Sequence, residues 1–346
     1  MIAVGRMPWL FSARVDIAAF GGSALVALLL LLLLPHTRET PEFVWVPAVL
    51  LIDVAHVWST GWRVYLDESE FRRRPLLYSA LPLLGFVAGM ALYHHGERTF
   101  WRVLAYLAVF HFVRQQAGWV ALYNRRSAEP SRWVRLVDQA AIYAATLYPL
   151  LYWHAHLPRQ FAWFVAGDFV AGLPERVVTW TTPIYIGCLV LYALSALRSW
   201  IKARPNPGKD LVVLTTFACW YTGMVATNSD YAFTVTNVVI HGVPYFVLIY
   251  WYAGRSRDGL RATARALYDR GIWLFLSLLW LTAYVEELVW DRAVWHERAW
   301  LFGTGWQIDD WKVVLVPLLA VPQFSHYLLD GFIWRRRDME IESVSR

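Results

Sequence analysis

The sequence predicts an all-α fold, a polytopic bundle of about ten transmembrane helices, on three observations. Its 346 residues are 58% hydrophobic and only 17% charged, against roughly 25% charge in ordinary globular chains. Runs of about 20 apolar residues, enough to cross roughly 30 Å of hydrocarbon at 1.5 Å per residue, recur along the whole chain. The 32 Lys and Arg residues gather in alternate connections between those runs. The two cysteines, Cys188 and Cys219, both in apolar runs, exclude a disulfide scaffold and a multi-cysteine zinc or iron–sulfur site.

The first run, 17–34, follows Arg6 and Arg14 and ends in Leu-Pro-His-Thr with no small-residue cleavage site, so it reads as a retained anchor. The next two, 43–62 and 76–93, flank the basic cluster Arg63, Arg72, Arg73 and Arg74. Residues 100–122 and 136–153 are interrupted by Arg125, Arg126, Arg132 and Arg135, and 177–197 and 211–227 by Arg198, Lys202, Arg204 and Lys209. The stretch 161–172 is apolar but too short to span and reads as interfacial or re-entrant. Residues 231–252 follow the turn Asn228-Ser229-Asp230; 271–289 ends on Glu286 and Glu287, which open an acidic loop; 311–334 completes the set. No soluble domain fits between them, so 1–346 is one transmembrane domain.

Sorted by side, 23 cationic residues fall on the face that holds both termini and 8 on the other, with Arg114 inside a helix. That bias places both termini in the cytoplasm and makes the chain a multi-pass protein of the cytoplasmic membrane. The basic runs border helices and face anionic membrane lipids, which leaves no case for nucleic acid.

Four of the ten histidines lie within helices. His56, His111, His241 and His326 sit 13, 11, 10 and 15 residues from the same side of their segments, about 15 to 22 Å deep. Each has polar companions on its own helical face. Asp53 precedes His56 by three; Arg114 and Gln115 follow His111 by three and four; Asn237 precedes His241 by four; Gln323 and Asp330 flank His326 at minus three and plus four. A lone intramembrane His is often only a helix-bridging group, contributing about 0.6 kcal/mol. Four at one depth, with two carboxylates and an arginine, cost enough in hydrocarbon that a shared site explains them better. The expected ligands are His56, His111, His241 and His326 with Asp53 and Asp330. Asn237 and Gln323 would orient the imidazoles through their second nitrogens. Arg114 and Gln115 are the candidate catalytic pair, Arg114 with Asp53, Asp330 or an anionic ligand group opposite it.

Imidazole and carboxylate with open positions suit non-haem iron handling dioxygen, and also manganese or zinc. A metal at the midplane of a bundle is reached by lipophilic molecules, so carotenoid, isoprenoid or acyl-chain substrates are expected. There is no Walker loop, dinucleotide glycine motif or nucleophile elbow.

Several short motifs fall in a familiar order. His111-Phe112 is followed by Ile240-His241, and the last helix reads Val321-Pro322-Gln323-Phe324-Ser325-His326-Tyr327-Leu328-Leu329-Asp330-Gly331-Phe332-Ile333-Trp334-Arg335. In these segments the chain resembles the Brp/Blh family of membrane-bound β-carotene dioxygenases, whose final helix has Val-Pro-His, an aliphatic pair ending in Asp, and Phe-Ile-Phe-Arg. The histidine here is displaced by three positions, and the family's amino-terminal Pro-His-Gly is absent, with Asp53 and His56 in its place. The resemblance implies an iron-dependent oxygenase with histidine ligands from several helices. Two other readings stay open: a haem-binding electron-transfer bundle, and a divalent-cation or proton transporter whose His, Asp and Asn line a path.

Overall fold

The computed structural model describes residues 8–34, 36–127, 131–255 and 257–334. Arg6, Arg335, Arg336, Arg337 and Arg346 of the charge bias lie outside the described residues. Within them the chain is helical, with one isolated bridge between Asp67 and Leu260. Long helices occupy all ten expected stretches. Seven are long and apolar enough to cross a membrane, as in an integral membrane protein: α1 (Ala13–Leu33), α2 (Glu42–Val64), α4 (Pro75–His95), α7 (Glu175–Ile201), α9 (Asp230–Arg255), α11 (Ile272–Trp295) and α12 (Asp309–Ile333). The others, α5 (Glu97–Arg126), α6 (Arg132–Ala155) and α8 (Pro207–Tyr221), stand where expected with more polar side chains. Two short helices, α3 (Glu68–Arg73) and α10 (Ala262–Tyr268), fill connections. Residues 161–172 carry no helix.

Local chemistry starts these helices. Ser12, Asp67, Ser131, Asn206 and Ser229 each accept a hydrogen bond from a backbone N–H three residues on, the N-cap arrangement that satisfies otherwise orphaned donors. Thus the expected turn at Asn228-Ser229-Asp230 is the cap of α9. Gly271, at φ +98°, turns the chain from α10 into α11 in a conformation that side chains resist.

Several helices widen into π turns: residues 46–54 of α2, 234–238 of α9 and 291–295 of α11. Such turns frequently mark functional positions. The first lies just ahead of His56 and the second just ahead of His241. Helix α12 breaks at Ala320, between Pro317 and Pro322, residues whose missing N–H groups weaken the ladder there.

The chain divides into two compact units, Met1–Val44 with Phe112–Pro244, and Trp45–His111 with Tyr245–Arg346. In the first, α6 packs along α7, and α8 packs on α6 and α1. Buried Asp16 accepts from Leu10 N at 2.7 Å and from Tyr123 Oη at 2.7 Å. In the second, α2 packs against α11 and α12, and α12 against α4, over a core that includes Trp62, Phe246, Phe275 and Leu279.

Two cations assigned from the sequence to the lipid headgroups are buried instead. Lys209 sits 2.8 Å from Asp138 of α6. Arg63 lies 2.8 Å from Glu70 and 3.8 Å above the Tyr252 ring. Each has a carboxylate or an aromatic face within reach, which replaces the water it gives up. Burial pushes the Glu70 carboxyl up, but Arg63, the Tyr78 hydroxyl and Arg73 outweigh it and hold the group below its ordinary range.

Candidate metal centre

His56, in the last three turns of α2, is buried, as are His111 on α5 and His326 on α12. These three belong to the second unit, and one nitrogen of each lies within 4.8 Å of the others. The His56 and His326 rings meet edge to face, with centroids 4.8 Å apart, and those of His111 and His326 are 4.4 Å apart. Between them, His56 Nε2 and His326 Nε2 stand 3.1 Å apart.

That spacing fits a metal. Two nitrogens adjacent on one ion, each bonded at about 2.1 Å, stand roughly 3.0 to 3.4 Å apart, whereas a pair on opposite sides stands at about 4 Å. The spacing of the His56–His326 pair suits neighbouring ligands of one ion, and it is equally that of an N–H···N hydrogen bond between the two imidazoles. The donor set is also right for iron, zinc or manganese and holds no thiolate.

The protonation of His326 is set by its partners. Tyr245 Oη donates to Asp330 Oδ1 at 2.6 Å. The Thr60 hydroxyl, 3.0 Å from Tyr245 Oη, then donates to that oxygen and accepts from His326 Nδ1 at 2.7 Å. Proton placement along this chain leaves the Nε2 lone pair aimed at His56, as a ligand requires. Asp330 serves two imidazoles, with one oxygen 3.8 Å from His326 Nδ1 and the other 3.9 Å from His111 Nδ1. Asp53 Oδ1 is 3.6 Å from His56 Nδ1. Both carboxylates expected as ligands thus stand beside Nδ1 atoms, beyond bonding distance of the ring they face.

His241 is buried in the first unit, its ring stacked flat on Phe112 with centroids 3.6 Å apart and planes 7° from parallel. Along the unbroken helix α9 it comes one turn before Tyr245. Gln115 Nε2 reaches the His241 carbonyl at 3.4 Å. Asn237 spends its side-chain N–H groups on Phe233 O and Thr236 Oγ1, so it braces the π turn.

Arg114, Glu286 and Gln323 stand apart from where the sequence put them. Arg114 is exposed and donates to Tyr143 Oη at 2.6 Å. Three residues turn a helix by about 300°, so Arg114 sits some 60° from His111, enough to leave the buried face. Glu286 is no part of an exposed acidic loop, because α11 continues through its π turn and carries it inward. It is buried and accepts from Trp58 Nε1 at 2.5 Å, Gln323 Nε2 at 2.5 Å and Trp290 Nε1 at 3.3 Å. Gln323 therefore serves Glu286 rather than His326.

Sequence reasoning missed Thr60 and Tyr245. Both follow a histidine by four residues, the same spacing that singles out Asp330. No protein-family model matches the sequence, and no curated protein or solved structure matches it.

Proposed function

We propose that the protein is a membrane-embedded oxidoreductase, an oxygenase using non-haem iron on a lipophilic substrate such as an isoprenoid, carotenoid or acyl lipid. The observation that carries this reading is the 3.1 Å approach of His56 Nε2 to His326 Nε2, with a hydrogen-bonded partner holding the far nitrogen of His326. His56, His111 and His326 are the proposed ligands. His241 is the proposed fourth on its depth in the sequence alone. The resemblance of short segments to the Brp/Blh dioxygenases supports an iron oxygenase, although that family's last-helix histidine falls at the position of Gln323 and not of His326.

Iron held there supplies redox chemistry toward dioxygen, itself soluble in the bilayer. The chain's own residues hold the geometry. Thr60 fixes the His326 tautomer, and Tyr245 fixes Thr60. Asp330 balances positive charge close to two imidazoles. Packed rings, Tyr327 at 5.2 Å from His111 among them, exclude water. In this reading all ten long helices cross the cytoplasmic membrane, with both termini in the cytoplasm.

Metal analysis with a visible spectrum, on detergent-purified wild type and on a variant carrying His111→Ala and His326→Ala, tests the proposal. The expected result is stoichiometric iron without a haem band, lost in the variant. A haem band would replace iron chemistry with electron transfer, and metal-free protein prepared without chelators would overturn the reading.

A further inference from the structure

Helix α11 carries none of the proposed ligands, yet one of its side chains touches both helices that supply the His56–His326 pair. Glu286 accepts through Oε2 from Trp58 of α2 and through Oε1 from Gln323 of α12, each at 2.5 Å. Trp58 stands two residues after His56, and Gln323 three residues before His326. A third donor, Trp290 Nε1 at 3.3 Å, comes from α11 itself. Glu286 is 6% exposed, and an ionisable side chain buried within a membrane span carries a cost that an apolar contact would avoid.

Both ligand helices are irregular just ahead of their histidines. The π turn of α2 ends at Val54, two residues before His56, and α12 breaks at Ala320, six residues before His326. A regular helix fixes the direction of its next turn through successive hydrogen bonds from each N–H to the carbonyl four residues back, and these two places lack that guidance. Glu286 takes hold of each helix directly beyond the irregular stretch. Helix α11 also grips the first stretch itself, since Trp280 Nε1 donates to the Leu51 carbonyl inside the π turn at 2.9 Å.

We propose that Glu286 is a positioning residue of the metal centre, a clamp that holds α2 to α12 so that His56 Nε2 and His326 Nε2 stay adjacent. The role rests on the metal reading above and adds to it the group that keeps two ligands in place. Both carboxylate oxygens are needed, one for each helix. An amide has one acceptor oxygen and would keep one tie, whereas an apolar side chain would keep neither.

Co²⁺ is the probe, titrated into full-length, metal-depleted protein in phospholipid nanodiscs, with affinity read from chelator competition and coordination geometry from the visible spectrum of the bound ion. Trp58→Phe and Gln323→Met each cut one tie and leave Glu286 in place. Each should weaken Co²⁺ binding by about 10- to 100-fold and alter the spectrum. Trp290→Phe removes a donor that reaches no ligand helix and should change neither. Glu286→Gln should fall between the wild type and Glu286→Leu, and the two single-tie variants decide the matter should the leucine variant fail to fold. Wild-type affinity and spectrum in Trp58→Phe and Gln323→Met would overturn the clamp and leave the metal reading intact, even if both variants unfolded at lower temperature. A loss in Trp290→Phe equal to theirs would also overturn it, because the fold as a whole would then be what holds the ligands. Wild-type protein that binds neither Co²⁺ nor iron would overturn the metal reading and the clamp with it.

Discussion

The hydroxyl of Thr60 lies 2.7 Å from Nδ1 of His326, joining residues 266 positions apart in sequence. On the proposed reading, removing that acceptor should weaken metal binding without unfolding the protein. Thr60→Val is expected to lower iron affinity by about 10- to 100-fold, the usual effect of deleting a group that orients a ligating imidazole. Thr60→Ser should retain most of it. Competition with a chromophoric chelator measures both, and unchanged affinity in the valine variant would remove Thr60 from the site.

The ion pair between Lys209 and Asp138 makes a different prediction. Both side chains are buried, at 8% and 1% exposure, so deleting the cation strands a carboxylate. Lys209→Met should destabilise the protein by about 3 to 5 kcal/mol, and Lys209→Met with Asp138→Leu should recover much of that loss. Thermal unfolding in detergent would show the two effects, and equal losses in the single and double variants would contradict the pairing.

Glu70 predicts a pH dependence. Its folded-state value is held below the ordinary 4.5, so the native state favours the charged form more than the unfolded chain does. The stability it contributes is complete above about pH 4.5 and disappears as pH falls through the lowered folded-state value. Between pH 6 and 8 Glu70 should contribute no slope. Glu70→Gln should abolish its share of the acid-side loss, measured as unfolding temperature against pH.

Glu286 is held by three N–H donors, so the expected outcome depends on what replaces it. Glu286→Ala would leave the donors of Trp58, Trp290 and Gln323 without their acceptor, at a cost of about 2 to 4 kcal/mol. Glu286→Gln keeps an acceptor oxygen and should lose less. If the two variants unfolded at the same temperature, the hydrogen bonds to Glu286 would not be what holds it.

Helix positions were legible in the sequence because crossing hydrocarbon imposes a length on an apolar segment; the ten expected stretches fold as helices, and seven of the helices are long and apolar enough to cross a membrane. The convergence of His56, His111 and His326 was legible for the same reason, since residue number along a spanning helix is a measure of depth. Rotation about the axis was not. Arg114 and Gln323 share a helix face with histidines by spacing, yet one turns out to Tyr143 and the other reaches Glu286 on α11. Those choices are made by neighbouring helices, which periodicity within one segment does not report. Arg63 and Lys209 were misplaced for a related reason, because the buried carboxylates that receive them lie on other helices or connections.

The wide turn at 46–54 makes the position of His56 a matter of counting. Each residue of a helix rotates the next by about 100°, so removing any one residue from that stretch would turn His56 and Thr60 together relative to the helix ahead of them, and away from His326. Substitutions there change only side chains, many of them partly exposed. A systematic scan should therefore find 46–54 tolerant of many replacements and intolerant of every single-residue deletion, so that length is inherited there more strictly than composition.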